Sequence, residues 1–350
     1  YIGGTFTKVE ALTRNYAAHI NSDGSLDETW NPNFNSQVYS IAVSSSSIYL
    51  GGTFTTVNGS TTRNRLAKVN KTDGTVDGTW NPNASAACLT LSISGSDIYA
   101  GGSFTTINGS TSRNRAAKLD TTNGTADASW NPNANSAIEA LVVTSDAVYV
   151  GGWFTTINGG TVRNRLAKLN KTTGTADASW NPNMSDMVKS ISVEGTDVYA
   201  AGSFLTVNGG TARNYLAKFT TASSTVDASW NPNANGICST IVASGSYVYV
   251  GGAFTIINGS VIRNRIAKLN ITSGTVDGSW NPNANNVVQT IAVNNSDIYA
   301  GGSFLYTAPI TRNWIARFDN SSGMLDTVWN PNLNGTVKAI LVDGDDIYIG

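Results

Sequence analysis

Tryptophan followed by Asn-Pro-Asn recurs at nearly constant spacing along the whole 350-residue chain. The interval between successive copies is 50 residues five times and 49 residues once. The copies begin at Trp30, Trp80, Trp130, Trp180, Trp230, Trp280 and Trp329. A unit repeated at such a period is one supersecondary element that buries its apolar face only against its neighbours. The spacing therefore predicts a single domain, residues 1–350, whose repeats start near residues 1, 49, 99, 149, 199, 249 and 299.

Each repeat contains four segments that are rich in β-branched and aromatic residues. In the second repeat they are Val38–Val43, Ile48–Phe54, Arg65–Val69 and Thr75–Trp80, separated by polar turns. No segment shows a sustained period of 3.6 residues, so the sequence predicts almost no helix. Four short antiparallel strands in each of seven repeats predict an all-β fold, a seven-bladed β-propeller of four-stranded antiparallel blades.

The two ends of the chain belong to the same type of strand. Residues 1–6 and 346–350 both match the second strand of a repeat, and Val337–Val342 matches the first strand that the N-terminal repeat lacks. This predicts a ring closed by pairing of the C-terminal strand into the N-terminal blade, which leaves no exposed edge. Residues 348–350 then duplicate residues 1–3. We therefore expect one copy to be displaced, and this segment to be a monomeric domain within a longer chain.

The composition limits the classes of partner. Only 13% of residues are charged, and the formal net charge is −1. A chain of this kind lacks the basic surface with which proteins bind nucleic acids. It also lacks the run of 18 apolar residues that predicts membrane insertion. The polar surface must come from Ser, Thr, Asn and Gly, which favours an extracellular or cell-surface location.

Several positions recur almost unchanged in every repeat. We interpret Arg63, Asp77 and their equivalents as structural, because a partly buried guanidinium needs a carboxylate or carbonyl partner. Trp80 and its equivalents are predicted to lock each blade to the next. The pair Gly51-Gly52 predicts a close approach within the strand, which we assign to the Trp of a neighbouring blade. The alternative is seven copies of a glycan site in which each Trp is a sugar platform.

The chain offers little for catalysis or cofactor binding. Cys88 and Cys238 occupy the same repeat position, where they are predicted to be small buried residues too far apart to form a disulfide. His19 is the single histidine, and we expect it to face solvent from a strand. One histidine and two separated cysteines do not make an ordinary zinc or copper site, and no nucleotide-binding fingerprint is present. The sequence thus predicts no cofactor and no enzymatic activity.

The repeats differ most at three places: just after Asn-Pro-Asn, one residue into the first strand, and at the end of the second strand. In a propeller these places lie on one face, around the mouth of the central channel, and loops on a rigid scaffold often bind ligands. The alternative is random drift at tolerant positions. The predicted binding residues on this rim are Phe34, Tyr39, Glu139, Trp153, Asp186, Lys189, Gln289, Tyr306 and Lys338.

The repeat as a whole resembles a known family. The unit Gly-Gly-Thr-Phe-Thr-Thr-Val-Asn-Gly, then Arg-Asn-Arg-Leu-Ala-Lys, then Trp-Asn-Pro-Asn is similar to the delta-60 repeat, a β-propeller domain of unknown function in bacterial secreted and surface proteins. Kelch blades are a looser similarity, through the double Gly and the later Trp. The resemblance covers essentially the whole chain and implies a propeller and an export route. It implies no established activity and no catalytic residues.

These observations predict a non-enzymatic extracellular module that presents its variable face to a protein or a glycan. Two alternatives stay open. One is a structural spacer or adhesin segment with no specific ligand. The other is a glycan-active enzyme with carboxylates at the channel mouth, for which Glu139 and Asp186 are the candidates.

Overall fold

The computed structural model describes residues 2–294, 296–307, 310–344 and 346–349. These residues form short antiparallel strands and contain no helix. Six repeats each form a three-stranded sheet in the order first, second and third strand, and one further sheet combines both ends of the chain. The predicted all-β class is confirmed.

We number the sheets 1 to 7 in the chain order of their third strands. The third strands are Ala17–Ile20, Leu66–Asn70, Ala116–Asp120, Leu166–Asn170, Leu216–Thr220, Ile266–Asn270 and Ile315–Asp319. The first strands of sheets 1 to 7 are Val337–Asp343, Val38–Val43, Cys88–Ser94, Ile138–Val143, Val188–Glu194, Cys238–Ser244 and Val288–Asn294. The second strands of sheets 2 to 7 are Ser47–Gly52, Asp97–Gly102, Ala147–Gly152, Asp197–Gly202, Tyr247–Gly252 and Asp297–Gly302.

A small two-stranded hairpin joins the second strand of each repeat to the third. The seven hairpins pair Lys8–Val9 with Leu12–Thr13, Thr56–Val57 with Thr61–Thr62, Thr106–Ile107 with Thr111–Ser112, Thr156–Ile157 with Thr161–Val162, Thr206–Val207 with Thr211–Ala212, Ile256–Ile257 with Val261–Ile262, and Tyr306–Thr307 with Ile310–Thr311. Each repeat therefore contributes a three-stranded sheet and a separate hairpin.

The prediction of a fourth strand over Thr75–Trp80 is wrong. This segment makes one isolated bridge to the third strand, between Val69 and Val76, and no continuous ladder. Side chains bind its backbone instead. Asn58, at the tip of the hairpin, accepts a hydrogen bond from the backbone N–H of Val76 at 2.8 Å and donates one to the carbonyl of Gly74.

Two charged side chains bind the rest of this segment. The Asp77 carboxylate accepts hydrogen bonds from the backbone N–H groups of Thr79 at 2.8 Å and Trp80 at 3.2 Å. The Arg63 guanidinium donates to the carbonyl oxygens of Asp77 and Gly78. Because these backbone groups already have partners, the segment folds as a turn and not as a strand.

The sheets are arranged in a ring. Each first strand contacts the first strands of the sheets before and after it, and the first strand of sheet 1 contacts those of sheets 2 and 7. Serines join successive first strands across the ring: the hydroxyl of Ser40 accepts a hydrogen bond from the Leu91 N–H at 2.9 Å, and Ser190 does the same for Ile241 at 3.1 Å. This arrangement is that of a β-propeller.

Sheet 1 closes the ring in the predicted way. Val337–Asp343 is its first strand and pairs with Ile2–Gly4 through the register pairs Gly3 with Ala339 and Gly4 with Val337. The position of the second strand is shared by Ile2–Gly4 and Asp346–Ile349, which pair with successive parts of the third strand. The two duplicated segments therefore share the position of one strand, and neither is displaced from the sheet. Residues 1 and 350 lie outside the described residues.

The repeated Trp packs between neighbouring sheets. All seven are at most 1% exposed. Trp80 lies edge-on to the ring of Tyr49 in sheet 2, with ring centroids 5.2 Å apart. Its Nε1 donates a hydrogen bond to the carbonyl oxygen of Asp120 in sheet 3 at 2.9 Å. This ring therefore contacts both sheets, as a locking role requires, and its burial contradicts the sugar-platform interpretation.

Candidate functional site

Every first strand begins with a β-bulge at its variable residue. In sheet 2, Val38 pairs with Gly52 and Ser40 pairs with Gly51, so the residue between them, Tyr39, has no partner across the ladder. The same shift in register occurs in the other six sheets. A bulge kinks the strand and redirects the side chain of the extra residue.

The double Gly makes this bulge possible. A Cβ on Gly52 would lie 2.1 Å from the carbonyl oxygen of Gln37, which accepts a hydrogen bond from Thr53 N–H. A Cβ on Gly51 would lie 2.8 Å from Sγ of Cys88 in the next sheet. Our prediction of close approach is confirmed, but the neighbour is this carbonyl and this side chain and not a Trp.

We call the seven bulged residues the mouth ring. They are Tyr39, Leu89, Glu139, Lys189, Ser239, Gln289 and Lys338, in sheets 2 to 7 and then sheet 1. The end of the propeller at which they lie is the mouth face. The segments before the first strands and after the second strands meet there, as the hydrogen bond between Thr53 and Gln37 shows. The prediction that these variable segments share one face is confirmed.

A cavity of about 300 Å³ opens within the mouth ring. Five consecutive sheets line it, and only one lining residue, Val287, lies outside the ring. The lining residues are Glu139, Lys189, Ser239, Val287, Gln289 and Lys338. Four predicted site residues, from four different sheets, therefore surround one space: Glu139, Lys189, Gln289 and Lys338.

The charged groups of this cavity perturb one another. Burial raises the pKa of Glu139 above its ordinary value, and Lys189 and a hydrogen bond from Trp153 act in the opposite direction. Burial lowers the pKa of Lys338, and the positive charge of Lys189 lowers it further. Burial raises the pKa of Tyr39, and the Glu139 carboxylate adds to this shift. Four sheets thus contribute groups close enough to interact electrostatically.

One aromatic residue, Trp153, borders the mouth ring, and another, Tyr39, belongs to it. Trp153 is 43% exposed and lies close enough to the Glu139 carboxylate to lower its pKa. Tyr39 donates a hydrogen bond from its hydroxyl to the side-chain oxygen of Gln37. Gln289 is oriented by a hydrogen bond from its amide nitrogen to the hydroxyl of Ser303, 3.0 Å away.

The structure contradicts one predicted rim residue and separates another from the cavity. Phe34 is only 1% exposed and packs on Phe54 with ring centroids 4.5 Å apart. It belongs to the core because its segment crosses under the hairpin before reaching the mouth. Asp186 lies just before a first strand, where its carboxylate accepts a hydrogen bond from the Met187 N–H at 2.7 Å. It does not line the cavity that contains Glu139.

Five of the exposed apolar residues lie on one side of the mouth face, in the repeats of sheets 4 to 7, whereas others, such as Val162 and Ile262, lie in the second strands of the hairpins. We call these five residues the apolar arc: Trp153, Leu205, Ile237, Leu305 and Tyr306. Their exposed fractions lie between 38% and 50%. The sequence predicted Trp153 and Tyr306 but not the other three. Leu205 and Leu305 stand where other repeats have Thr, and this difference between repeats was the available signal.

The repeated charged residues serve the scaffold. The sequence predicted a carboxylate or a carbonyl partner for Arg63. In the structure its guanidinium donates to carbonyl oxygens, those of Thr62, Asp77 and Gly78. The Asp77 carboxylate pairs instead with the ammonium of Lys68, at 3.0 Å.

The single histidine and the cysteines are buried. His19 is only 9% exposed, with Nδ1 2.9 Å from the carboxylate of Asp27 and Nε2 3.3 Å from that of Asp346, so the expected solvent-facing position is wrong. Cys88 and Cys238 are buried free thiols, and burial raises the pKa of Cys88 to about 12. Among the described residues, no group of three or more His, Cys, Asp or Glu side chains is placed to hold a metal ion.

The repeats also match a known family model. The domain of unknown function DUF5122, described as a β-propeller, matches residues 1–29, 45–79, 97–129 and 147–179. These segments are similar to DUF5122 β-propeller repeats. The resemblance to a propeller repeat family of unknown function is confirmed, and the remaining repeats carry the same Gly-Gly, Arg-Asn and Trp-Asn-Pro-Asn elements.

Solved structures share the β-propeller architecture of this chain at low sequence identity. The WD40 β-propeller domain of Doa1 is 11% identical with a TM-score of 0.59, over 91% of this chain and 93% of that one. The computationally designed Ika8 protein is 10% identical with a TM-score of 0.54, over 95% and 99%. BamB from Moraxella catarrhalis is 12% identical with a TM-score of 0.51, over 95% and 87%. At these identities the likeness shows the fold alone.

A search of the curated proteins gives no match. Within the described residues, no helix has the length and apolar character that a membrane crossing requires.

Proposed function

We propose that the seven sheets are the blades of one seven-bladed propeller, which acts as a non-enzymatic binding module through its mouth face. The mouth ring carries this proposal. Its seven bulged positions hold six different residue types, although the surrounding strands repeat closely. The bulge recurs in every sheet, whereas the side chain at the bulge differs. Such an arrangement is suited to ligand recognition, because the side chains around the cavity can change without a change in the backbone.

The apolar arc favours a protein partner over a glycan. Glycan sites rely on exposed aromatic faces, and the seven repeated Trp residues are buried. The arc contains three aliphatic residues, Leu205, Ile237 and Leu305, beside two aromatic ones. Exposed aliphatic side chains grouped beside a polar cavity are typical of protein-binding surfaces.

A glycan-cleaving activity is less well supported. Glu139 lies in a cavity and burial raises its pKa, as expected for a general acid. Glycoside hydrolysis ordinarily needs a second carboxyl group across the scissile bond, however, and Asp186 is not part of that cavity. A hydrolase screen checks this assignment: turnover that is lost in Glu139→Gln would contradict the non-enzymatic role.

We also propose an extracellular or cell-surface location. The low charge content and the surface rich in Ser, Thr, Asn and Gly support it. Fractionation of cells that express the full-length gene product tests it, and recovery of the protein from the cytoplasm would contradict it.

The binding role is tested by capture of surface proteins from the source organism on the immobilised chain. The key variant combines Leu205→Thr with Leu305→Thr, since Thr is the residue of other repeats at this position. Its matched control is Met324→Thr, which also restores the residue of other repeats. Met324 is 70% exposed but follows Asp319, at the end of the sheets opposite the mouth face.

We expect the wild-type chain and Met324→Thr to capture the same specific protein, and the double variant to lose most of it. Equal capture by all three chains would contradict a mouth-face interface. No specific capture by the wild-type chain would favour the spacer alternative.

A further inference from the structure

Neither lysine of the mouth ring has a salt-bridge partner among the described residues, although Lys189 acts electrostatically on Glu139. The lysines of the third strands, in contrast, pair with aspartates, as Lys68 pairs with Asp77. Lys189 and Lys338 are both half-buried and line the same cavity. One glutamate, Glu139, lines the cavity with these two lysines. A half-buried ammonium group that this single carboxylate leaves unneutralised is costly, so the cavity favours an anion.

Charge and ring order indicate where an anion would lie. Glu139 is the only acidic residue lining the cavity, and both Lys189 and Trp153 stabilise its ionised form. Two lysines against one glutamate leave a lining charge of +1. Ser239 and Gln289 follow Lys189 around the ring and precede Lys338, so a hydroxyl and an amide lie between the two ammonium groups. Burial lowers the pKa of Lys338 and Lys189 lowers it further, which a bound anion would reverse.

The rest of the ring is apolar. Tyr39 and Leu89 occupy the two positions between Lys338 and Glu139. The Tyr39 hydroxyl is held by Gln37, which fixes the ring of Tyr39 at the edge of the mouth. The mouth ring is therefore polar and cationic on the side of the two lysines and apolar on the side of Tyr39 and Leu89. It favours a ligand that has both an anionic and an apolar part.

We propose that the mouth cavity binds a carboxylate attached to an apolar group. The carboxylate lies in the cavity between Lys189 and Lys338. The apolar group extends out of the cavity toward Tyr39 and Leu89, which belong to the mouth ring but do not line the cavity. This inference rests on the proposed function of the mouth face as a binding surface. A volume of about 300 Å³ suits a ligand portion the size of one amino-acid residue. A free aromatic acid and the C-terminal residue of a peptide share this chemistry.

Isothermal titration calorimetry tests the proposal with four probes. Benzoate and benzamide form one pair that differs in the carboxylate. A tetrapeptide ending in Phe, with a free or an amidated C-terminus, forms the other. We expect benzoate, the free peptide or both to bind, and the two amides to bind at least about tenfold more weakly. Binding of benzoate alone identifies a small acid as the ligand class, and binding of the free peptide alone identifies a protein C-terminus.

The variants are Lys189→Met and Lys338→Met, with Lys171→Met as the control. Lys171 donates to Ser94 and Thr144 at the opposite end of the sheets. Each mouth variant is expected to weaken binding at least about tenfold, and Lys171→Met to leave it unchanged. Lys338→Arg should retain binding, which separates loss of charge from loss of folding.

Three results would overturn the proposal: no binding of benzoate or the free peptide at about 10 mM, equal binding of acids and amides, or unchanged binding in the mouth variants. None of these results would affect protein capture that depends on Leu205 and Leu305. Failure of this inference is therefore distinguishable from failure of the proposed function.

Discussion

Nε1 of Trp80 donates a hydrogen bond to the carbonyl oxygen of Asp120, 2.9 Å away in the next sheet. Asp120 ends the third strand of sheet 3, and its equivalents in sheets 2, 5 and 7 accept the same bond from Trp30, Trp180 and Trp280. Four of the seven repeated Trp residues thus join neighbouring sheets both by a buried ring and by a directional bond. Among the described residues, Nε1 of Trp130, Trp230 and Trp329 has no hydrogen-bond partner, so these rings act by packing and not by this bond.

Substitution of Trp80 separates these two contributions. Trp80→Phe keeps most of the ring packing on Tyr49 but loses the bond, and it should lower the free energy of unfolding by about 1 kcal/mol. Trp80→Ala also leaves a cavity between the sheets and should lower it by about 3–5 kcal/mol. Urea denaturation measures both values. Equal losses in the two variants would contradict the packing role, and Trp153→Phe at the exposed rim is the control.

The two glycines of each pair should differ in tolerance. A Cβ on Gly151 would meet the side chain of Val188 at 2.7 Å, whereas one on Gly152 would lie 2.2 Å from the backbone carbonyl of Ala137. A side chain can shift more easily than this carbonyl, and Ala201 already occupies the first position in another repeat. We expect Gly151→Ala to cost about 1–3 kcal/mol and Gly152→Ala to cost more. Thermal unfolding measures the loss of stability in both variants. A smaller loss for Gly152→Ala would contradict the role of this glycine in the bulge.

The propeller should lose stability over the pH range in which its repeated aspartates take up protons. The aspartate three residues before each repeated Trp has a pKa below 3.8. For Asp127, burial acts to raise the pKa, but hydrogen bonds from Ser129 and Lys118 outweigh it and lower the pKa to about 2.

A carboxyl group whose pKa is lower in the folded state stabilises that state above its unfolded pKa, and this contribution is lost as pH falls through the folded value. The free energy of unfolding should therefore fall as pH drops from about 4 to about 2, and Asp127→Asn should reduce the size of that fall. Urea titrations at each pH measure it. A free energy that is constant across this range would show that the carboxylates do not stabilise the fold.

Trp153 should report the ionisation of Glu139. The Trp153 indole interacts with the ionised carboxylate more strongly than with the neutral acid, and burial raises the pKa of Glu139 above its ordinary value. The emission of Trp153, obtained by subtracting the spectrum of Trp153→Phe, should titrate with a midpoint above pH 4.5. Glu139→Gln should abolish this transition. A midpoint at or below 4.5, or a transition that persists in Glu139→Gln, would contradict the described pairing.

Much of the fold follows from the repeat. The 50-residue period, the β-branched segments and the matching chain ends predicted the sheets and the way sheet 1 closes. The fourth strand was mispredicted because Thr75–Trp80 has strand-like composition. Its backbone is bound instead by side chains distant in sequence, Asn58 and Arg63 among them, and a local pattern does not reveal such partners.

Differences between the repeats predicted several residues of the site. They did not predict which of the variable residues are buried. Tyr39, Glu139, Lys189, Gln289 and Lys338 vary between repeats, and the bulge places them all on the mouth ring. Phe34 varies as well, yet it lies in the core. Variation alone does not separate an exposed rim position from a buried one that accepts several apolar residues.

The most direct test of the account is site-specific photo-crosslinking on the intact chain. A photoreactive phenylalanine analogue replaces Leu305 on the mouth face in one sample and Met324 at the opposite end in the other, both in the presence of surface proteins from the source organism. The account predicts a specific crosslinked partner from position 305 and none from position 324. Crosslinking from position 324 with none from position 305 would contradict it.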